Sequence, residues 1–147
     1  MCGGRRPCRL INKVMIRGFT AGAMDLLHAG HISMLEEAKS QCDYLIVGLH
    51  IDPTIDRPTK NRPVQTSYER FIQLKGCKFV DEIIPYDTEE DLINLLQVVK
   101  PDIRFIGEDY KGKPFTGSDL PIKLVYTTRR HNFSSSALRK RIKNAKS

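Results

Sequence analysis

Apolar positions along the chain follow two rhythms. Short continuous apolar runs alternate with segments in which apolar residues recur every three or four positions. The first run lies within Lys13–Phe19, with Val14, Met15 and Ile16 as its apolar centre, and the second is Tyr44–Ile51, Tyr-Leu-Ile-Val-Gly-Leu-His-Ile. A run this continuous predicts a strand covered on both faces, as in a parallel sheet. Val80–Tyr86, Ile103–Ile106 and Ile122–Tyr126 predict three further strands. Between them stand helical stripes. Ile32, Met34, Leu35 and Ala38 give one over Ile32–Ser40. Thr66 or Ser67 with Glu69 reads as an N-cap, opening a helix that runs to about Lys78 with Gly76 in its last turn. Thr88 caps the next, with Glu89, Glu90 and Asp91 in the first turn, where carboxylates suit the helix dipole. Leu92, Leu95, Leu96 and Val99 form its buried stripe, and Pro101 ends it. Ser134-Ser135-Ser136 opens the last helix.

Strands alternating with helices, joined by right-handed crossovers, predict an α/β fold: a Rossmann-like, doubly wound, five-stranded parallel sheet. It forms a single domain over residues 13–147, after a mobile N-terminal leader at 1–12. Asp52–Gln65 is a long loop with Pro53, Pro58 and Pro63 that carries Arg57, Lys60 and Arg62, the composition of a binding flap. Such sheets bind ligands beyond the carboxyl ends of their strands. After the first strand comes Thr20-Ala21-Gly22-Ala23-Met24-Asp25-Leu26-Leu27-His28-Ala29-Gly30-His31. His28 and His31 are three residues apart at a helix start, so both rings can face one side. The unpaired N–H groups and positive dipole end there make an anion site, commonly for phosphate.

The net charge of +7 and pI near 9.4 fit a polyanionic ligand. Basic residues crowd both ends of the chain, but no aromatic residues are interleaved with them as a stacking surface requires, so nucleic acid is a secondary reading. No apolar run approaches the roughly 20 residues that span a bilayer, and no secretory signal pattern is visible. The four cysteines form no CxxC pair, which favours a reducing cytoplasm over a disulfide framework or a zinc site. The cysteines and His50 read as structural.

Gly22 to His31 resembles the G-T-F-D-x-x-H-x-G-H signature of the HxGH-motif nucleotidyltransferase superfamily, with Ala23 for threonine and Met24 for phenylalanine. The glycerol-3-phosphate cytidylyltransferases resemble it most, and the heptose-phosphate adenylyltransferases are the near rival. Lys60-Asn61-Arg62-Pro63 and Ser67-Tyr68-Glu69-Arg70 resemble the family's basic loop and S-x-E-R helix start. Lys78, before Phe79-Val80-Asp81-Glu82, stands where relatives often carry arginine. Gly107-Glu108-Asp109-Tyr110 lies between the G-D-D-W of the first group and the G-G-D-Y of the second. Arg129 to Ser136 resembles the cytidylyltransferase string R-T-E-G-I-S-T-T.

The resemblance implies transfer of a nucleotidyl group to a phosphorylated acceptor. The acceptor oxygen attacks the α-phosphorus, pyrophosphate leaves, and no covalent enzyme intermediate forms. Mg2+ is expected to ride with the triphosphate, without a protein ligand set, and a homodimer is expected. Catalytic roles fall to His28, His31, Lys60 and Arg129. Nucleotide-binding roles fall to Thr20, Ala21, Gly22, Ala23, Gly30, Gly107, Ser134, Ser135 and Ser136, and acceptor-binding roles to Asp25, Arg62, Arg70, Lys78, Asp109 and Tyr110. Arg129 tilts the nucleotide toward CTP, so the leading expectation is CMP transfer to a small phosphorylated alcohol. The alternatives are AMP transfer from ATP to a sugar phosphate, and a non-catalytic nucleotide- or nucleic-acid-binding protein on the same fold.

Overall fold

The computed structural model describes residues 14–128 and 133–145, so the expected leader at 1–12 and Arg129 lie outside the described residues. Five strands alternate with helices: β1 (Arg17–Gly22), α1 (Ala29–Lys39), β2 (Tyr44–His50), α2 (Ser67–Lys75), β3 (Glu82–Tyr86), α3 (Glu89–Val99), β4 (Ile103–Gly107), a 3-10 turn (Glu108–Tyr110), β5 (Lys123–Thr127) and α4 (Ser135–Asn144). The sheet is wholly parallel in the order β3-β2-β1-β4-β5. Strand order reverses beside β1, so the crevice of a doubly wound sheet falls between the carboxyl ends of β1 and β4. The pairing opens it there. β1 stays registered with β2 from Arg17↔Tyr44 to Gly22↔Leu49, but meets β4 only at Gly18↔Ile103 and Phe19↔Arg104.

One core lies on each face. Leu35 and Ala38 of α1 and Leu74 of α2 pack on Leu45, Val47, Leu49 and Phe105. Leu92 and Leu96 of α3 pack on Phe19, Ile46 and Tyr86 on the other face. Because each helix follows a parallel strand, the helix N-termini gather at the carboxyl edge of the sheet. Thr66 with Glu69 forms the reciprocal capping box expected for α2, Thr88 caps α3 as expected and adds a reciprocal bond with Asp91, and Ser134 caps α4. No helix is long and apolar enough to cross a membrane, among the described residues.

Two of the departures from the sequence pattern have a visible cause. Val14, Met15 and Ile16 are 78%, 58% and 40% exposed, and the strand begins only at Arg17. Carboxylates fix its entry: Asp43 accepts the Ile16 N–H at 2.8 Å and Asp102 the Arg17 N–H at 2.8 Å. The inner strand is polar-looking because Gly18 must be bare. A Cβ there would stand 2.6 Å from the Phe105 ring and 2.8 Å from Cys42 Sγ. The second departure is α2, which stops at Lys75 with Gly76 as its C-cap, short of Lys78.

Candidate active site

The site is built on the first turn of α1. His28 is the N-cap, with extended backbone (φ −125°, ψ 179°). Its Nδ1 accepts the Gly30 N–H at 3.0 Å, while His31 Nδ1 accepts the His28 N–H at 3.2 Å. Two imidazoles thus form the reciprocal capping box that a hydroxyl and a carboxylate form in α2 and α3. The chemical consequence is specific. A ring nitrogen that accepts an N–H carries no proton, so each neutral ring holds its proton on Nε2, the nitrogen turned away from the helix backbone. The rings lie 4.0 Å apart between centroids, tilted by 31°. His28 Nε2 is 3.2 Å from Ser135 Oγ, and that hydroxyl is 3.4 Å from the Asp25 carbonyl oxygen. Burial, and then the adjacent His28, push the His31 pKa down to about 4, against a smaller opposing effect of Asp25. At neutral pH His31 is therefore an uncharged donor.

The turn before α1 is strained and heavily tied. Met24 and Leu26 have φ of 52° and 51°, the left-handed region that costs a non-glycine residue of order 1–3 kcal/mol. Asp25, 6% exposed, accepts the Val64 and Gln65 N–H groups at 2.9 and 3.0 Å and the Arg139 guanidinium at 2.7 Å. Gln65 Oε1 accepts the Leu26 N–H at 2.8 Å. Asp25, expected at the acceptor, is instead the knot joining this turn to the flap and to α4.

Arg70 is a correction of the same kind. It is 2% exposed, and its guanidinium donates to the carbonyl oxygens of Gln65, Ala23, His50 and Ile51 at 3.2, 3.0, 2.7 and 2.6 Å. It clamps the carboxyl ends of β1 and β2 together, with four of its five N–H groups spent on backbone carbonyls. Lys78 is also misplaced for that role. It lies in the connection entering β3, at the opposite edge of the sheet, with Nζ 5.3 Å from the Phe79 ring centre.

Three adjoining cavities surround the α1 N-terminus. The first, about 270 Å³, is lined by Thr20, Ala21 and Gly22 of β1 and by Ala23 just after it, by Gly107 and Tyr110, and by Lys60 of the flap. The second, about 420 Å³, is lined by Ala23, Asp25, His31, Lys60, Ser135 and Arg139. The third, about 290 Å³, is lined by His28, Gly30, His31, Gly107, Asp109, Ser134 and Ser135. Ala23 and Lys60 border the first two, His31 and Ser135 the last two, and Gly107 the first and third, so the three form one cleft around two imidazoles. A Cβ on Gly107 would meet no atom within 4 Å, because the space it faces is the cleft.

The remaining expected residues divide. Thr20 is buried, with its hydroxyl 4.0 Å from Met34 Sδ. Tyr110, 40% exposed, makes an edge contact with Phe115 at 6.2 Å, and Asp109 stands on the His28 side rather than beside Tyr110's cavity. Ser134 is engaged in capping, through the Ala137 N–H at 3.0 Å. Ser136 and Arg62 are exposed and line none of the three cavities. Arg62 contributes only a minor part of the lowering of the Asp52 pKa, which comes mainly from the Thr54 hydroxyl and N–H.

Several lining residues were not among the sequence candidates for a site role, although Arg57 belongs to the basic loop read as a flap. Arg57, paired with Glu89 at 2.7 Å, and Arg104 border the first cavity. His50 lines it too, stacked on Tyr86 at 4.6 Å and bonded to the Asp87 carbonyl at 3.1 Å. Arg139 was findable: it follows Ser135 by four residues and shares its helical face.

A helix start capped by two imidazoles at the switch point of a parallel sheet is an arrangement that suits an α/β nucleotidyltransferase. Within that class, the cytidylyltransferase-like family model matches residues 19–141, and the chain belongs to that family. The chain is 38% identical over 129 residues to the bifunctional protein HldE of Campylobacter concisus, a match covering 87% of this chain and 27% of that protein. It is 42% identical over 106 residues to HldE of a Caulobacter species, covering 70% of this chain and 21% of that one. The chain thus spans about a quarter of the length of these curated relatives. Among solved structures, the lipopolysaccharide core biosynthesis protein of Thermoplasma volcanium superposes with a TM-score of 0.68 at 30% identity, covering 80% of this chain and all of that one. Pantoate–β-alanine ligase of Francisella tularensis shares the fold, with a TM-score of 0.51 at 22% identity over 93% of this chain and 69% of that one.

Proposed function

We propose that this nucleotidyltransferase transfers AMP from ATP to a sugar phosphate and releases pyrophosphate. The observation that carries transfer is the imidazole capping box, which turns the Nε2 of both rings away from the helix backbone beside a positive helix end, that of His28 against the Ser135 hydroxyl. The choice of ATP over CTP draws on the relatives. Their match is confined to one stretch of bifunctional HldE proteins, which we read as the adenylyltransferase half of the heptose-phosphate enzyme. The name of the Thermoplasma volcanium neighbour, a lipopolysaccharide core biosynthesis protein, also favours a sugar acceptor. The cytidylyl reading depends on Arg129, outside the described residues.

In this mechanism the nucleoside lies in the third cavity, between Gly30 and Gly107–Asp109. The phosphates cross the α1 N-terminus into the second. The acceptor enters from the first, which meets the second at Ala23 and Lys60. His28 and His31 donate to phosphate oxygens on which charge builds as pyrophosphate departs. Lys60, on the flap, adds a mobile cation at the junction. Chemistry of this kind is alignment plus charge stabilisation. Magnesium belongs to this reading as an ion carried by the phosphates. Bound that way, Mg2+ would neutralise triphosphate charge. A homodimer and a cytoplasmic location complete the reading.

The test is pyrophosphate release in the presence of magnesium, with ATP and CTP offered separately against a panel of sugar and glycerol phosphates. Release with ATP and a sugar phosphate, abolished in His28→Ala, is the expected result. Release with CTP and glycerol 3-phosphate alone would return the protein to the cytidylyl branch. Tight nucleotide binding without release would leave a non-catalytic binding protein.

A further inference from the structure

The floor of the first cavity holds a cation that the transfer chemistry does not use. Arg104 lies on β4, on the face covered by α3, and is 4% exposed. Its Nη1 donates to the Thr116 carbonyl at 2.6 Å, and its guanidinium lies 5.2 Å from the Phe115 ring centre. Its Nε is the one buried side-chain polar atom without a hydrogen-bond partner, among the described residues. No carboxylate among them pairs with it: Glu89, across the cavity, is held by Arg57 at 2.7 Å. The packing around it is close. Gly117 has φ of 78°, and a Cβ there would come within 2.9 Å of Nη1. A buried guanidinium with no carboxylate in ion-pair contact, and only the field of Tyr86 and Glu89 to offset its burial, is costly, and an apolar side chain would fill the same space without that penalty. The charge fits a ligand that brings the missing anion.

Position in the cleft separates that anion from the reacting phosphate. Arg104 borders only the first cavity, whereas His31 borders the second and third and His28 the third. The guanidinium and the imidazoles therefore face different parts of the cleft. One acceptor can reach both only with an anionic group at each end. We propose that Arg104 selects acceptors bearing a second anionic group, a carboxylate or a phosphate, at the end remote from the phosphate that attacks the nucleotide. This rests on the reading that the first cavity receives the acceptor. A planar fork in a desolvated cavity suits either oxyanion.

The experiment compares three acceptors of similar size: a hexose 1-phosphate, a hexuronic acid 1-phosphate and a hexose 1,6-bisphosphate. Initial rates are measured for the wild type, Arg104→Gln and Arg104→Lys, and melting temperatures are recorded alongside. The wild type is expected to favour one of the doubly anionic acceptors by roughly 10- to 100-fold in kcat/KM, the range for hydrogen bonds to charged groups. Which one it favours identifies carboxylate or phosphate. Arg104→Gln is expected to bring that ratio close to one, and Arg104→Lys to keep part of it. Equal use of all three acceptors by the wild type would overturn the proposal, whether or not the variants fold. So would a uniform fall for all three in Arg104→Gln, the result of a merely structural arginine. If no acceptor turns over, the transfer reading itself fails. Calorimetric titration of the same compounds then decides for Arg104: tighter binding of a doubly anionic compound, lost in Arg104→Gln, supports the proposal, and equal or absent binding overturns it.

Discussion

At the scale of single residues, the two histidines act as donors because of what their other nitrogens do. Each Nδ1 is occupied by a backbone N–H, so the proton sits on Nε2 without any change of charge. Replacing either His28 or His31 with alanine removes one donor from the departing charge and also weakens the α1 cap. The expected loss in kcat is on the order of 100- to 1000-fold, to be read from single-turnover rates; a loss under tenfold would remove the pair from the chemistry. The depressed pKa of His31 has a stability signature as well. Between about 4 and the unfolded value of 6.5, the unfolded chain binds a proton that the folded chain refuses. Stability contributed by this residue is therefore complete above pH 6.5 and falls as pH drops toward 4, by at most about 1.4 kcal/mol per pH unit. Burial of His50 works in the same direction. Urea melts at pH 7.5 and pH 5 should show a shallower acid loss in His31→Gln than in the wild type, and equal losses would show that the ring is not desolvated.

At the scale of elements, what was legible in the sequence was local. Thr66 with Glu69, Thr88 with its acidic first turn and the Ser134 cap are patterns contained within four residues, and the structure holds them as helix starts. What escaped was decided by partners far along the chain. Val14–Ile16 has the better apolar pattern, yet carboxylates at Asp43 and Asp102 start the strand after it. Arg70 sits in a motif that reads as anion binding, but its partners are four carbonyl oxygens from three segments, which no spacing rule reveals. Arg70→Met should leave those carbonyls unsatisfied at a cost of about 3–5 kcal/mol, measurable by denaturant titration, while Lys78→Ala should change neither stability nor turnover appreciably. Full stability in Arg70→Met with selective loss of acceptor affinity would restore the acceptor role. Gly107 offers a test at the β4 edge. Its Cβ would enter empty cleft, so Gly107→Val is expected to fold normally and raise KM for the nucleotide, and a collapse in Tm would show instead that the position is needed for folding.

At the scale of the whole molecule, the fold class followed from the alternation of strands and helices, and the location of the site followed from the fold. Strand order reverses at β1, and the histidines lie directly beyond it. The first cavity was legible only in part: Thr20 to Ala23, Lys60, Gly107 and Tyr110 stand in motifs, whereas His50, Glu89, Leu92 and Arg104 join them from β2, α3 and β4 through the fold alone. The net charge of +7 agrees with a phosphate-rich ligand and says little about which one. A nucleotide that bridges α1, the flap and α4 should stabilise the folded chain by mass action, by about 2.7 kcal/mol at a hundredfold excess over Kd. The most direct measurement is 31P NMR of the wild type with ATP, magnesium and the sugar phosphate that supports turnover. Nucleotidyl transfer at the α-phosphorus predicts free pyrophosphate together with a pair of mutually coupled doublets from a new sugar–nucleotide diphosphate. ADP with inorganic phosphate, or ADP with a newly phosphorylated sugar, would place the attack at the γ-phosphorus and contradict the account.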